Sequence, residues 1–173
     1  TNQNSPTPSM NFGAGRTAVA ITSGDSHTCA ILDDGNVSCW GGNYKGQLGD
    51  GSTTDRNTPG LTNSLGVDRR AVSLSSGGTH TCAILDNGDV SCWGDNSNGK
   101  LGLGSSAEYS ANPTVITESQ ASTSPNLRSG RTAVGISSGS QHTCAVLNMG
   151  EVSCWGIADL GQLGNGEPPS WIS

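Results

Sequence analysis

Six cysteines and three histidines carry most of the reactive chemistry in this 173-residue chain. They fall into three identical sets: His27-Thr28-Cys29 with Cys39, His80-Thr81-Cys82 with Cys92, and His142-Thr143-Cys144 with Cys154, the two cysteines of each set ten residues apart. One His and two Cys are ligands that zinc accepts. However, each His lies only two residues before its Cys, no Cys-x-x-Cys pair occurs, and a fourth ligand is missing. A redox-active pair is a poorer fit still, because reactive cysteines sit close together on an exposed turn. Disulfides and free buried thiols are the remaining readings.

The residues between the cysteines decide how they stand. Asp33-Asp34-Gly35, Asp86-Asn87-Gly88 and Asn148-Met149-Gly150 are centred between the members of each pair. A three-residue hairpin loop wants a type I turn followed by a left-handed residue, and Gly occupies that place. Counting back from such a loop pairs Leu32 with Asn36, Ile31 with Val37, Ala30 with Ser38, and Cys29 with Cys39. Directly opposed residues at a non-hydrogen-bonded position have Cα atoms about 4.5 Å apart, within disulfide range. The expected bonds are therefore Cys29–Cys39, Cys82–Cys92 and Cys144–Cys154. Each closes a loop worth on the order of 2–3 kcal/mol if chain entropy dominates, and together they imply an oxidising setting, extracellular or periplasmic, of which the extracellular one is the expectation here.

The same sets punctuate the whole chain. Val37-Ser38-Cys39-Trp40-Gly41 recurs at 90–94 and 152–156, and Gly46-Gln47-Leu48-Gly49 recurs as Gly99-Lys100-Leu101-Gly102 and Gly161-Gln162-Leu163-Gly164. The step from Trp to the next such Gly is six residues each time, and from Arg16, Arg69 or Arg131 to Cys it is 13. The periods are 53 and 62 residues, the difference being a Ser/Pro/Asn-rich insertion at 119–130. Val19 and Ile21, Val72 and Leu74, and Val134 and Ile136 alternate with small residues, a strand pattern, and no window has helical spacing. The reading divides the chain into an N-terminal arm or strand (1–14), repeat 1 (15–66), repeat 2 with the insertion (67–129) and repeat 3 ending in a C-terminal strand (130–173). The Ser119–Ser124 part of the insertion and the Ser/Thr-rich arm are candidates for O-linked sugar.

Composition removes other classes. Hydrophobic residues make up 32% and charged residues 13%, while Gly contributes 26 residues, so the chain is globular but turn-rich. The net charge of −6 and the lack of a basic run leave nucleic acid a poor partner, and no apolar stretch reaches the roughly 20 residues of a membrane span. No Ser/His/Asp constellation, phosphate loop or dinucleotide fingerprint occurs. No catalytic residue, metal site or cofactor is expected. The three His are repeat-locked, which points to a structural role, and Trp40, Trp93 and Trp155, also repeat-locked, point to packing between repeats. Asp95-Asn96-Ser97-Asn98-Gly99 has calcium-type oxygens, but the aligned loops lack them. Asn36-Val37-Ser38 is a glycosylation sequon placed in an expected strand.

Gly-x-x-His-Thr-Cys-Ala, Gly-x-Val-Ser-Cys-Trp-Gly and Gly-Gln-Leu-Gly together resemble the regulator of chromosome condensation repeat over roughly residues 7–173. The resemblance implies an all-β fold of β-propeller type, with one four-stranded antiparallel blade per repeat in rings of about seven blades. That family includes a nuclear guanine-nucleotide exchange factor, a secreted β-lactamase inhibitor and many interaction domains, so fold does not settle function. The cysteine pairs are extra to its pattern and speak against the nuclear role. Three repeats leave the propeller incomplete or open.

A Pro-x-apolar strand occurs at Pro8-Ser9-Met10, Pro59-Gly60-Leu61 and Pro113-Thr114-Val115, and Pro169-Ser170-Trp171 looks like the same element. Blade faces at both ends are then unfinished, and no polar cap covers them. The sequence-based expectation is a secreted structural protein that self-assembles through these ends into a ring or an extracellular filament, or forms part of a longer propeller. Pro8, Met10, Phe12, Pro169 and Trp171 are the expected assembly residues. A secreted binding module such as an enzyme inhibitor or adhesin is the alternative, and an exchange factor a remote one. In untreated protein no cysteine should react with an alkylating reagent under denaturing conditions, read by mass spectrometry. Six alkylated cysteines would refute the pairing.

Overall fold

The computed structural model describes residues 4–5, 9–13, 15–104, 107–116 and 130–166. Its elements are strands β1 (Ala18–Ser23), β2 (His27–Leu32), β3 (Val37–Gly41), β4 (Arg56–Leu61), β5 (Ala71–Ser76), β6 (His80–Leu85), β7 (Val90–Asp95), β8 (Tyr109–Val115), β9 (Ala133–Ser138), β10 (His142–Leu147) and β11 (Val152–Gly156). They form sheets β1-β2-β3-β4, β5-β6-β7-β8 and β9-β10-β11, all antiparallel meanders. Blades 1 and 2 thus have four strands, the fourth containing Pro59 or Pro113 as the sequence suggests. Blade 3 has three among the described residues. Pro8, Pro169, Trp171 and residues 119–129 of the insertion lie outside them. Ser9, Met10 and Phe12 are described and belong to no strand. No helix among the described residues is long and apolar enough to cross a membrane.

Each hairpin follows the turn chemistry read from sequence. Leu32 N–H donates to the Asn36 carbonyl and Gly35 N–H to the Leu32 carbonyl, both at 2.8 Å. Gly35, Gly88 and Gly150 adopt φ of 80°, 83° and 86°, which favours glycine. The register opposes Cys29 to Cys39, Cys82 to Cys92 and Cys144 to Cys154, with Cα atoms 4.1 Å apart and a disulfide joining each pair. Arg16, Arg69 and Arg131 reach back to these turns. They pair with Asp34 (2.8 Å), Asp86 (3.2 Å) and Glu151 (2.8 Å); the first two lie towards solvent and add at most about 1 kcal/mol each, and the third is part-buried.

Two local expectations need correction. Asn36 lies in the turn before β3, exposed and held by its side chain to Asp34, rather than within a strand. The alternation along the inner strands is also broken. Pairing skips Val19, Val72 and Val134, which sit at bulges and face outward.

The blades stack face to face, with β1, β5 and β9 as adjacent inner strands. One core joins Cys29, Ile31, Val37 and Cys39 of blade 1 to Ala83, Leu85 and Trp93 of blade 2. The second joins Cys82, Ile84, Val90 and Cys92 to Ala145, Leu147 and Trp155 of blade 3. The disulfide face of one blade therefore packs on the tryptophan face of the next. Since each sheet has apolar residues on both faces, stacking is what buries the core.

Candidate functional site

The contact between successive blades is built around one main-chain carbonyl. Within Gly46-Gln47-Leu48-Gly49 of blade 1, the Gln47 carbonyl accepts from Thr81 Oγ1 at 3.1 Å and from Trp93 Nε1 at 3.0 Å, both in blade 2. Within Gly99-Lys100-Leu101-Gly102, the Lys100 carbonyl accepts from Thr143 Oγ1 at 3.1 Å and Trp155 Nε1 at 2.9 Å. His27 Nε2 lies 2.8 Å from Thr81 Oγ1, and His80 Nε2 lies 2.8 Å from Thr143 Oγ1. A carbonyl only accepts, so the threonine hydroxyl spends its single proton on it. The histidine must then donate, which fixes the neutral Nε2–H tautomer.

The surroundings agree with a neutral ring. Burial pulls His27 down to about 4 from its ordinary 6.5. Burial, aided by the nearby Lys100 charge, takes His80 to about 3. A Cβ on Gly24 would collide with the His27 ring and with the Gly77 carbonyl, and one on Gly77 with His80 and the Gly139 carbonyl. Glycine makes the tryptophan socket too: a Cβ on Gly49 would stand 2.8 Å from Trp93 Nε1, and on Gly102 2.9 Å from Trp155 Nε1. Each ring is buried, and truncating such a side chain to Ala costs about 3–5 kcal/mol.

The second interface carries an additional lock. Lys100 is fully buried, its Nζ donating at 2.6 Å to both Asp95 Oδ2 and Gln141 Oε1 of blade 3. Burial raises the Asp95 carboxyl, but Lys100 and Ser97 outweigh that and hold it at about 2. The side chains of Asp95, Asn96 and Ser97 in this loop are thus engaged. Asp95 binds Lys100, Ser97 and Thr79, while Asn96 holds the Ala107 carbonyl and the Leu101 amide.

The outer faces differ from the inner ones and from each other. On blade 3, Val146 and Val152 are 41% and 57% exposed, whereas Ile31, Val37, Ile84 and Val90 at the matching positions are at most 3% exposed. Cys144, Cys154 and Leu163 are only half-buried, and a Cβ on Gly164 would meet nothing within 4 Å. On blade 1, Ile21 is 67% exposed and Thr28 and Trp40 are half-buried, although Ala30 and Leu32 are covered. Of the expected assembly residues, Met10 is exposed and Phe12 places its ring 6.0 Å from that of Trp40. Sequence reading did not single out Thr81, Thr143, Gln47 or Lys100. The recurring His-Thr-Cys triplet and fixed Gly-x-Leu-Gly spacing were the available signals.

Thr81→Val keeps the shape of the side chain but strips His27 of its acceptor. It should cost about 1–3 kcal/mol in denaturant unfolding, and Thr143→Val likewise. Thr28→Val, on the end face, should cost under about 0.5 kcal/mol when measured at concentrations too low for association. Equal losses at all three positions would refute the carbonyl-centred contact.

The buried histidines also set an acid response. The unfolded chain binds more protons than the fold from pH 6.5 down to about 3, so this part of stability is complete above 6.5 and is lost as pH falls through that window. Asp95 acts separately, since its contribution is present above 3.8 and is lost only towards about 2. Melting temperature should fall between pH 7 and 4.5, and the double variant His27→Gln/His80→Gln should flatten that slope. An unchanged slope in the double variant would contradict neutral burial.

The family model for the regulator of chromosome condensation repeat matches residues 18–47, 71–100 and 133–162, and its longer form matches 34–84 and 87–146. The chain is 36% identical over 155 residues to human E3 ubiquitin-protein ligase HERC2, covering 88% of this chain and 3% of that protein. It is 33% identical over 148 residues to the ultraviolet-B receptor UVR8 of Arabidopsis thaliana, covering 85% and 31%. Among solved structures, Prp20p from Saccharomyces cerevisiae superposes with a TM-score of 0.70 at 25% identity, covering 87% of this chain and 34% of that one. The chain thus spans about a third or less of these relatives' length. Repeats, strand order and stacking agree with the matches: the chain belongs to the regulator of chromosome condensation repeat family.

Proposed function

We propose that the chain is an extracellular interaction module that associates with further copies of itself through its unfinished blade faces, as a ring or a filament. The observation that carries this is the exposed apolar face of blade 3, where Val146 and Val152 stand in water at positions buried twice elsewhere in the chain. Such a face is costly to leave wet. Membership of a family of protein-interaction propellers supports a binding role; Prp20p, for example, is described by its binding to Gsp1p and histones. Three disulfides support an oxidising location.

Phe12 lies against Trp40, the blade 1 counterpart of Trp93 and Trp155. We assign Pro8, Met10, Phe12, Pro169 and Trp171 to the association surface. Light scattering and negative-stain microscopy of the oxidised chain should show species larger than one chain, growing with concentration. A monodisperse monomer throughout would overturn the reading and leave a binding module that uses its loops.

A further inference from the structure

We infer that Asn36 is an N-glycosylation site, taking an oligosaccharide on its side-chain nitrogen. This rests on the extracellular location proposed above, because the transferases that make this bond act on secreted chains, in surroundings where disulfides also form. Asn36-Val37-Ser38 supplies the acceptor pattern, an Asn with a hydroxyl residue two places on and no proline between. It is the single such triplet in the sequence, since Asn112-Pro113-Thr114 fails through Pro113.

The fold leaves this acceptor room for a sugar. Asn36 is exposed and lies one residue before β3. The turn meets blade 2 through Gly35, whose carbonyl accepts from Ala71 N–H at 2.9 Å, and not through the Asn36 side chain. Asn36 Nδ2 spends one hydrogen on Asp34 Oδ2 at 2.9 Å, and its other hydrogen has no acceptor among the described residues. The turn does not itself require an amide at this position. Blade 2 makes the corresponding bond with the two groups exchanged, from Asn87 Nδ2 to Asp89 Oδ2. Blade 3 places Glu151 there and pairs it with Arg131, whereas Arg16 of blade 1 pairs with Asp34 and leaves Asn36 out. Ser38 recurs as Ser91 and Ser153, so the amide alone sets blade 1 apart as an acceptor. In the transfer, Asn36 Nδ2 attacks C1 of a lipid-linked oligosaccharide. The Nδ2–C1 bond forms, the C1–O bond breaks, the lipid diphosphate leaves with the electron pair, and one amide proton goes to a base of the transferase. That enzyme also reads the Ser38 hydroxyl, and Ser38 is only 2% exposed in the finished blade. Transfer therefore precedes closure of the hairpin, and the sugar then stands on an exposed atom of the turn.

Secretion of the full chain from eukaryotic cells behind a cleavable leader tests this, with an Asn-Gly-Thr tail added after Ser173 to report contact with the transferase. The oxidised chain should carry two glycans by intact mass, both released by an amidase that cuts N-linked sugar and leaves aspartate at each acceptor. Asn36→Gln and Ser38→Ala should each lose one glycan and keep that of the tail. The second variant retains the Asn36 amide and removes only the hydroxyl, so its loss reports recognition of the triplet. A secreted, disulfide-bonded chain glycosylated on the tail and bare at Asn36 would overturn the inference while leaving the extracellular reading standing. A chain held inside the cell with its cysteines free would instead remove that reading, and the glycan with it.

Discussion

A backbone oxygen, at Gln47 or Lys100, sits at the centre of each blade pair, and further bonds such as Ser76 N–H to Thr22 and Ser138 N–H to Ser75 flank it. It takes two donors from the next blade, and the threonine among them is fixed in turn by a histidine of the first blade. The requirement that one hydroxyl proton go to the carbonyl dictates the tautomer of the histidine, and burial keeps it neutral. Because the acceptor is main chain, the side chain at that position stays free to differ, as Gln in one blade and a buried Lys in the next. Local glycines follow from the same constraint. Gly49 and Gly102 admit the indole, and Gly24 and Gly77 admit the imidazole.

Sequence reading reached the hairpins because their parity is arithmetic. A three-residue loop ending in Gly leaves one way to pair the flanking residues, and the cysteines fall opposite each other. It reached the packing role of Trp93 and Trp155 because a residue repeated at constant spacing serves the repeated unit. It could not reach the carbonyl, since a backbone acceptor has no residue identity. Nor could it place Lys100, whose burial depends on Asp95 nearby and on Gln141 in the next repeat. The bulges at Val19, Val72 and Val134 escaped because alternation looks the same until pairing shows a skipped residue. Asn36 escaped for a simpler reason: it lies at a strand boundary, where assignment shifts by a residue.

The two kinds of blade face are unlike, and that asymmetry gives the stack a direction. One face carries sulfur and branched aliphatics, the other an indole and a hydroxyl. Sulfur against an aromatic ring is a favourable contact in its own right, and the indole N–H still finds an oxygen in the neighbouring blade. Direction of this kind makes a chain of blades extendable without symmetry between its ends.

The position of the sulfurs has a bearing on how the molecule comes into being. Cys29–Cys39 and Cys82–Cys92 are sealed beneath the blade that follows, whereas Cys144–Cys154 stays within reach of solvent. Thiol–disulfide exchange needs an attacking thiolate to reach the sulfur. For the first two bonds that reach is easiest before the next indole settles over them. Biogenesis acquires an order: oxidise, then stack.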